Sequence, residues 1–261
     1  MTGLGIGSPP VPELVGFTES TATYDGTSRP VFRTGSGPGV VVIHEVPGIT
    51  PAVADFGRKV AAIGCTAVLP SLVGEPGKAP SGPYGMASLA RVCISREFNV
   101  FRRGQASPVT TWLRALARAV HAECGGPGVG VVGMCATGGF ALAMMVDEAV
   151  LAPVLSQPSL PAAITRRQKA DLGISGDDLA RVKRRVADGV CVMGLRYRGD
   201  PMVPDARFRR LHDELGDGFV AVEFEGKDHS VLTEHLQDEG VARVLDLFRE
   251  RLLGQGRDGD G

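Results

Sequence analysis

Strand-like and helix-like apolar patterns alternate along nearly the whole chain, and that alternation limits the fold more than any other feature. "GVVVIHE" (Gly39–Glu45) is a continuous β-branched run, the pattern of a strand buried on both faces. "TPAVADFGRKVAAIG" follows it. Thr50 is placed to cap a helix, Pro51 suits its first position, Gly64 can end it, and Val53, Phe56, Val60 and Ile63 share one face. The same reading gives strands at "CTAVLPSL", "GVGVVGMC", "AVLAPVLSQP", "VCVMGLRYRG" and "FVAVEFEG". It gives helices at "VTTWLRALARAVHAE", "GGFALAMMVDE", "SGDDLARVKRRVADG", "PDARFRRLHDELG" and "GVARVLDLFRERLLG". Ahead of them, "TATYDGTSRPVFR" sets β-type residues on both sides of Asp25-Gly26, a hairpin signal. The expected class is α/β: a mostly parallel central sheet with helices on both faces and an N-terminal β-hairpin.

No internal repeat or linker divides the 261 residues. The expected organisation is an N-terminal extension over 1–14, a single α/β domain over 15–254 and a polar tail over 255–261. Within the domain, residues 73–108 form a long Gly- and Pro-rich connection, helical from about Met86 to Phe101, of the kind that can cover a site. A formal net charge of −1 gives no bulk attraction to nucleic acid or acidic membranes. No apolar run approaches the ~20 residues of a membrane span. The first residues lack a basic region followed by an apolar one, so no secretory signal is read. The five cysteines (Cys65, Cys93, Cys124, Cys135, Cys191) are odd in number and lack metal-knuckle spacing. Reduced thiols and a cytoplasmic location are expected, with neither a metal nor an organic cofactor. Oligomeric state is not legible, although a homodimer is compatible with the sequence.

The chemistry concentrates at "VVGMCATGGFALAMM" (Val131–Met145). Cys135 ends a strand and begins a helix, with Gly133 two residues before it. Such a corner displays a nucleophile at the C-terminal edge of the sheet and needs small neighbours, because strand and helix approach closely there. The helix aims its N–H groups at the sulfur, which favours thiolate, and the Ala136 amide would face a developing oxyanion. Alternatively Cys135 is a small buried hydrophobe. Two further strand ends favour the first reading. Asp200 in "YRGDPMVP" and His229 in "EGKDHSVLT" follow Cys135 in the order nucleophile, acid, base. Asp205 and Asp228 compete as the acid and His235 as the base, while His121 and His212 fall within helices. In "VIHEVPGIT", Glu45 leaves an early strand beside His44, and Val46 is the expected second oxyanion amide.

Together "HEVPG", "GMCATGGFAL", "GDPMVP" and "DHS" resemble the dienelactone hydrolase family of the α/β-hydrolase fold, over roughly Phe17 to Leu253. The resemblance implies a Cys–Asp–His triad at Cys135, Asp200 and His229. It also implies a glutamate at Glu45 that meets the resting thiol and takes its proton when substrate binds, with Ser230 matching the serine after the family's histidine. Two departures stand out. The family elbow is usually G-x-C-x-G-G, whereas Thr137 stands here where a glycine would and the Gly pair follows one place later. The family also binds a substrate carboxylate with arginines, for which Arg96 and Arg91 in the long connection are the candidates, with His44 and Ser230 as further substrate contacts.

The expected activity is hydrolysis of small esters or lactones through a thioester on Cys135. A different class of function is also open: a non-hydrolytic binding or redox-sensing protein that uses Cys135 as an oxidisable thiol. Nucleotide binding is disfavoured, because the glycines of "GVGVVGMCATGG" begin inside the strand and no G-K-[ST] follows.

Overall fold

The computed structural model describes residues 12–94, 107–159 and 165–255. The chain opens with the hairpin β1 (Thr18–Tyr24) and β2 (Thr27–Gly35). Asp25 and Gly26 between them have φ of 48° and 72°, the two positive values that a two-residue turn needs to match strand twist. Then come β3 (Gly39–Ile43), α1 (Pro51–Ala62), β4 (Thr66–Pro70), α2 (Gly82–Ile94), α3 (Pro108–Cys124) and β5 (Val129–Met134). The second half holds α4 (Gly138–Met144), β6 (Val150–Ser156), α5 (Arg166–Lys169), α6 (Gly176–Ala187), β7 (Val192–Tyr197), α7 (Asp205–Leu215), β8 (Phe219–Phe224) and α8 (Asp238–Leu253).

The strands form one sheet in the order β1-β2-β4-β3-β5-β6-β7-β8. β2 pairs antiparallel with β1 and β4, and every other pairing is parallel. Helices cover both faces, so the strands alternate between two cores. Along β3, Val41 and Ile43 enter the core shared with Trp112, Leu116 and Phe140, while Val40 and Val42 enter the one shared with Phe56, Val60 and Phe248. The chain passes from β3 to β4 on one side and returns to β5 on the other. The C-terminal ends of β3 and β5 therefore flank a topological switch point, where open α/β sheets bind ligands.

Helix signals act as read at α1 and α6. The Thr50 hydroxyl accepts from the Val53 amide and that of Ser175 from the Asp178 amide. Three details differ from expectation. The helix after Cys135 stops at Met144, because the Asp147 amide bonds the Met144 carbonyl and the Asp147 carboxylate accepts from the Ala149 amide, turning the chain into β6. α2 starts at Gly82 rather than Met86, and the rest of that expected helix lies outside the described residues. Leu14, read as the end of an extension, is buried, and Arg58 of α1 donates to the carbonyls of Glu13 and Val15, so ordered packing begins ahead of residue 15. Among the described residues, no helix is long and apolar enough to cross a membrane.

Candidate active site

Five strand ends, those of β3, β5, β6, β7 and β8, build the site. Cys135 leaves β5 on a short 3-10 turn with φ of 55°, a strained left-handed conformation for a residue with a side chain. Close packing around the corner explains the glycines. A Cβ on Gly133 would lie 2.4 Å from the Thr137 carbonyl oxygen, and one on Gly138 would lie 2.7 Å from Pro158. The side chain of Thr137 is the fastener of this corner. Its Oγ1 accepts from the Met134 amide at 2.9 Å and lies within 2.8–3.2 Å of the carbonyls of Met134, Ile43 and His44. One hydroxyl therefore joins the elbow to the end of β3.

Asp200 follows β7 and His229 follows β8. His229 Nδ1 and the Asp200 carboxylate are 2.6 Å apart, and the Asp200 side chain is almost wholly buried. The other Asp200 oxygen accepts from the Met202 amide at 2.8 Å, which fixes the carboxylate. Burial pushes the His229 ring down, but its bond to the Asp200 carboxylate and the hydrogen bond and charge of Cys135 outweigh it and raise the ring to about 10. His229 Nε2 is buried with no partner in normal hydrogen-bond geometry, while the Cys135 side chain is close enough to add to the upward push that Asp200 gives the ring. The competitors are engaged elsewhere. Asp205 pairs with Arg196, and the half-exposed His235 stands 4.0 Å from Asp228.

Glu45 differs from the expectation that it meets the thiol. It is 4% exposed, and its carboxylate accepts from Ser230 Oγ (2.7 Å), Gln157 Nε2 (3.2 Å) and Thr233 Oγ1. The side chain at the sulfur is instead Ser159, whose Oγ lies 3.1 Å from Cys135 Sγ. Ser230, expected as a substrate contact, spends its hydroxyl proton on Glu45 in this structure. His44, expected as a further substrate contact, bonds the backbone at both ring nitrogens. It is 1% exposed; its Nδ1 bonds the Glu45 carbonyl at 2.7 Å and its Nε2 accepts from the Leu72 amide at 3.0 Å, so no ring nitrogen is left for a substrate. Arg91 is exposed in the last turn of α2, and Arg96 lies outside the described residues. Ala136 is the second residue of the turn at Cys135, where backbone N–H groups lack intrahelical acceptors, and Val46 follows the end of β3, the strand paired with β5. Among the described residues, no group of three His, Cys, Asp or Glu side chains is placed to hold a metal.

Ser159 and Gln157 escaped the sequence reading, although a signal existed. "SQPS" follows the apolar run of β6 at the same edge of the sheet as the other site residues.

The dienelactone hydrolase family model matches residues 27–174, more than half of the chain, and includes the Cys135 elbow. The chain belongs to the dienelactone hydrolase family. Membership makes it a hydrolase of ester bonds. No curated protein matches it. A Klebsiella pneumoniae protein provisionally described as a dienelactone hydrolase superposes with a TM-score of 0.64 at 16% identity, covering 92% of this chain and 98% of that one. A cold-adapted esterase from an Arctic intertidal metagenomic library gives 0.63 at 16%, covering 97% and 100%. A dienelactone hydrolase-like promiscuous phosphotriesterase from metagenomic libraries gives 0.63 at 18%, covering 90% and 98%. At these identities the fold is what the dienelactone hydrolase-like structures share with this chain. Against the family's usual elbow, this member replaces a glycine by Thr137 and retains the close glycine contact at Gly138.

Proposed function

We infer that the chain hydrolyses small esters or lactones with Cys135 as nucleophile, Asp200 and His229 as its acid and base, and a thioester as intermediate. The observation that supports this best is the buried Asp200–His229 hydrogen bond beside a cysteine on a strained elbow. His229 Nε2 takes the thiol proton, and Asp200 holds the ring and its charge. The sulfur attacks the carbonyl carbon. The amides of Ala136 and Val46 receive the oxyanion, and such a donor is commonly worth ~10²–10³ in rate. Collapse breaks the ester C–O bond, and the departing oxygen takes the proton from His229. Water then gives a proton to His229 and attacks the thioester. The second collapse releases the carboxylic acid and returns the sulfur. A thiolate favours activated esters and enol lactones, whose leaving groups depart readily.

The test is turnover of p-nitrophenyl esters and small lactones, dienelactone included, by wild type and Cys135→Ala, with intact-mass detection of the acylated protein. The alanine variant should lose at least ~10³-fold in kcat/KM and never carry the acyl mass. Full turnover by Cys135→Ala would overturn the assignment. Peroxide-sensitive oxidation of Cys135 with no acylation on any substrate would favour the redox-thiol reading.

A further inference from the structure

Ser159 is held against the sulfur from several directions. β6 ends at Ser156, and Gln157 follows with φ of 34°, its amide donating to the Leu195 carbonyl at 2.7 Å. The Pro158 carbonyl accepts from buried Arg207 of α7 at 2.6 Å, and Pro158 packs where a Cβ on Gly138 would collide. The Ser159 amide donates to the Cys135 carbonyl at 3.0 Å. The residue is 4% exposed, and its hydroxyl reaches Sγ at 3.1 Å. This hydroxyl is therefore placed on the nucleophile by the packing of β6, α4 and α7, and solvent does not compete for it.

We propose that Ser159 is a further catalytic residue, whose hydroxyl donates to the Cys135 sulfur whenever that sulfur carries charge. The proposal rests on Cys135 being the nucleophile. A neutral thiol can donate to or accept from a hydroxyl, but a thiolate can only accept. Loss of the sulfur's proton therefore turns an ambivalent contact into a charge-assisted O–H···S bond and favours the ionised form. The same bond acts twice in turnover. It holds the thiolate before attack, while the proton resides on His229, and it is lost as the C–S bond forms and the charge moves to the carbonyl oxygen. It returns when the tetrahedral adduct of water collapses and the C–S electron pair goes back to sulfur. Glu45 cannot take this place while its oxygens receive Ser230, Thr233 and Gln157.

The experiment measures the rate of Cys135 alkylation by iodoacetamide against pH, read on the Cys135 peptide by mass spectrometry, in wild type, Ser159→Ala and Ser159→Thr. Ser159→Ala removes only the hydroxyl and keeps the main-chain bond to Cys135. It should alkylate about tenfold more slowly at neutral pH and converge with wild type at high pH, a displacement of about one pH unit. Ser159→Thr keeps the hydroxyl and should restore much of the rate. Superimposable wild-type and Ser159→Ala profiles would overturn the proposal, and this comparison decides even if the threonine variant does not fold. Ester turnover by Cys135→Ala bears separately on the nucleophile. A displaced alkylation profile together with an active Cys135→Ala would thus overturn Cys135 as the nucleophile, and with it the catalytic part of Ser159, and leave only the Ser159–sulfur bond standing.

Discussion

At the scale of single residues, Thr137 joins two segments that must keep a fixed separation. The elbow carries the Ala136 amide, and the end of β3 leads into Val46. The Thr137 hydroxyl satisfies the buried Met134 amide and spans the carbonyls of Ile43 and His44. Having one proton, it donates to one carbonyl at a time. Replacing it by the near-isosteric Thr137→Val leaves the Met134 amide unpaired, at a cost of about 1–3 kcal/mol. Urea unfolding of Thr137→Val should show that loss, and Thr137→Ser should recover most of it. If the hydroxyl also sets the spacing of the amides proposed above for the oxyanion, kcat falls more than KM rises in the valine variant, because such amides would act on the charged intermediate. Equal stability of the valine variant and wild type would remove the fastener role.

At the scale of elements, the site is a set of strand ends tied by one carboxylate. Glu45 after β3 receives Ser230 and Thr233 from the segment after β8 and Gln157 from the segment after β6. It thus sets the loop bearing His229 against the loop bearing Val46. Glu45→Gln puts an NH₂ group among donors, so at least one bond to the former charge is lost, worth about 1.5–3 kcal/mol. The expected result is lower stability and slower turnover, with Cys135 alkylation at neutral pH not slowed. Slowed alkylation would restore Glu45 to the thiol's own ionisation. Much of this frame is legible in sequence because each strand end is local. Apolar runs, caps and Gly stops locate the elements, and Cys135, Asp200 and His229 stand just beyond three of those runs. The bonding of Glu45 is not legible, since its partners lie 112 to 188 residues away in sequence and meet only through the strand order. A resemblance alone places Glu45 on the thiol, and local pattern cannot correct it. The part of Ser159 is hidden for the same reason: it depends on how β6 sits beside β5.

At the scale of the whole molecule, the edge of the sheet that bears the chemistry also makes stability depend on acid. His44 bridges the ends of β3 and β4, wholly buried, with one nitrogen donating and the other accepting. That arrangement requires a neutral ring. Burial lowers its pKa from 6.5 to about 4, and the bond to the Glu45 carbonyl only partly offsets the effect. Above pH 6.5 the ring is neutral in both folded and unfolded chains and contributes no slope. Between 6.5 and 4 the unfolded chain binds a proton that the folded chain refuses, so stability falls as pH falls, by about 3 kcal/mol over the window. Below 4 both states are protonated and the slope ends. Trp112, 1% exposed and the sole tryptophan, gives the fluorescence signal for unfolding. Urea titrations from pH 7 to 4.5 should show His44→Gln less stable than wild type at pH 7, because two backbone partners are disturbed. The gap should narrow steadily toward pH 4.5, since the glutamine has no proton to refuse. Parallel curves would mean that His44 takes up its proton in the folded chain without cost. The junction of β3 and β4 would then have to tolerate a charged ring with its Nε2 turned against the Leu72 amide.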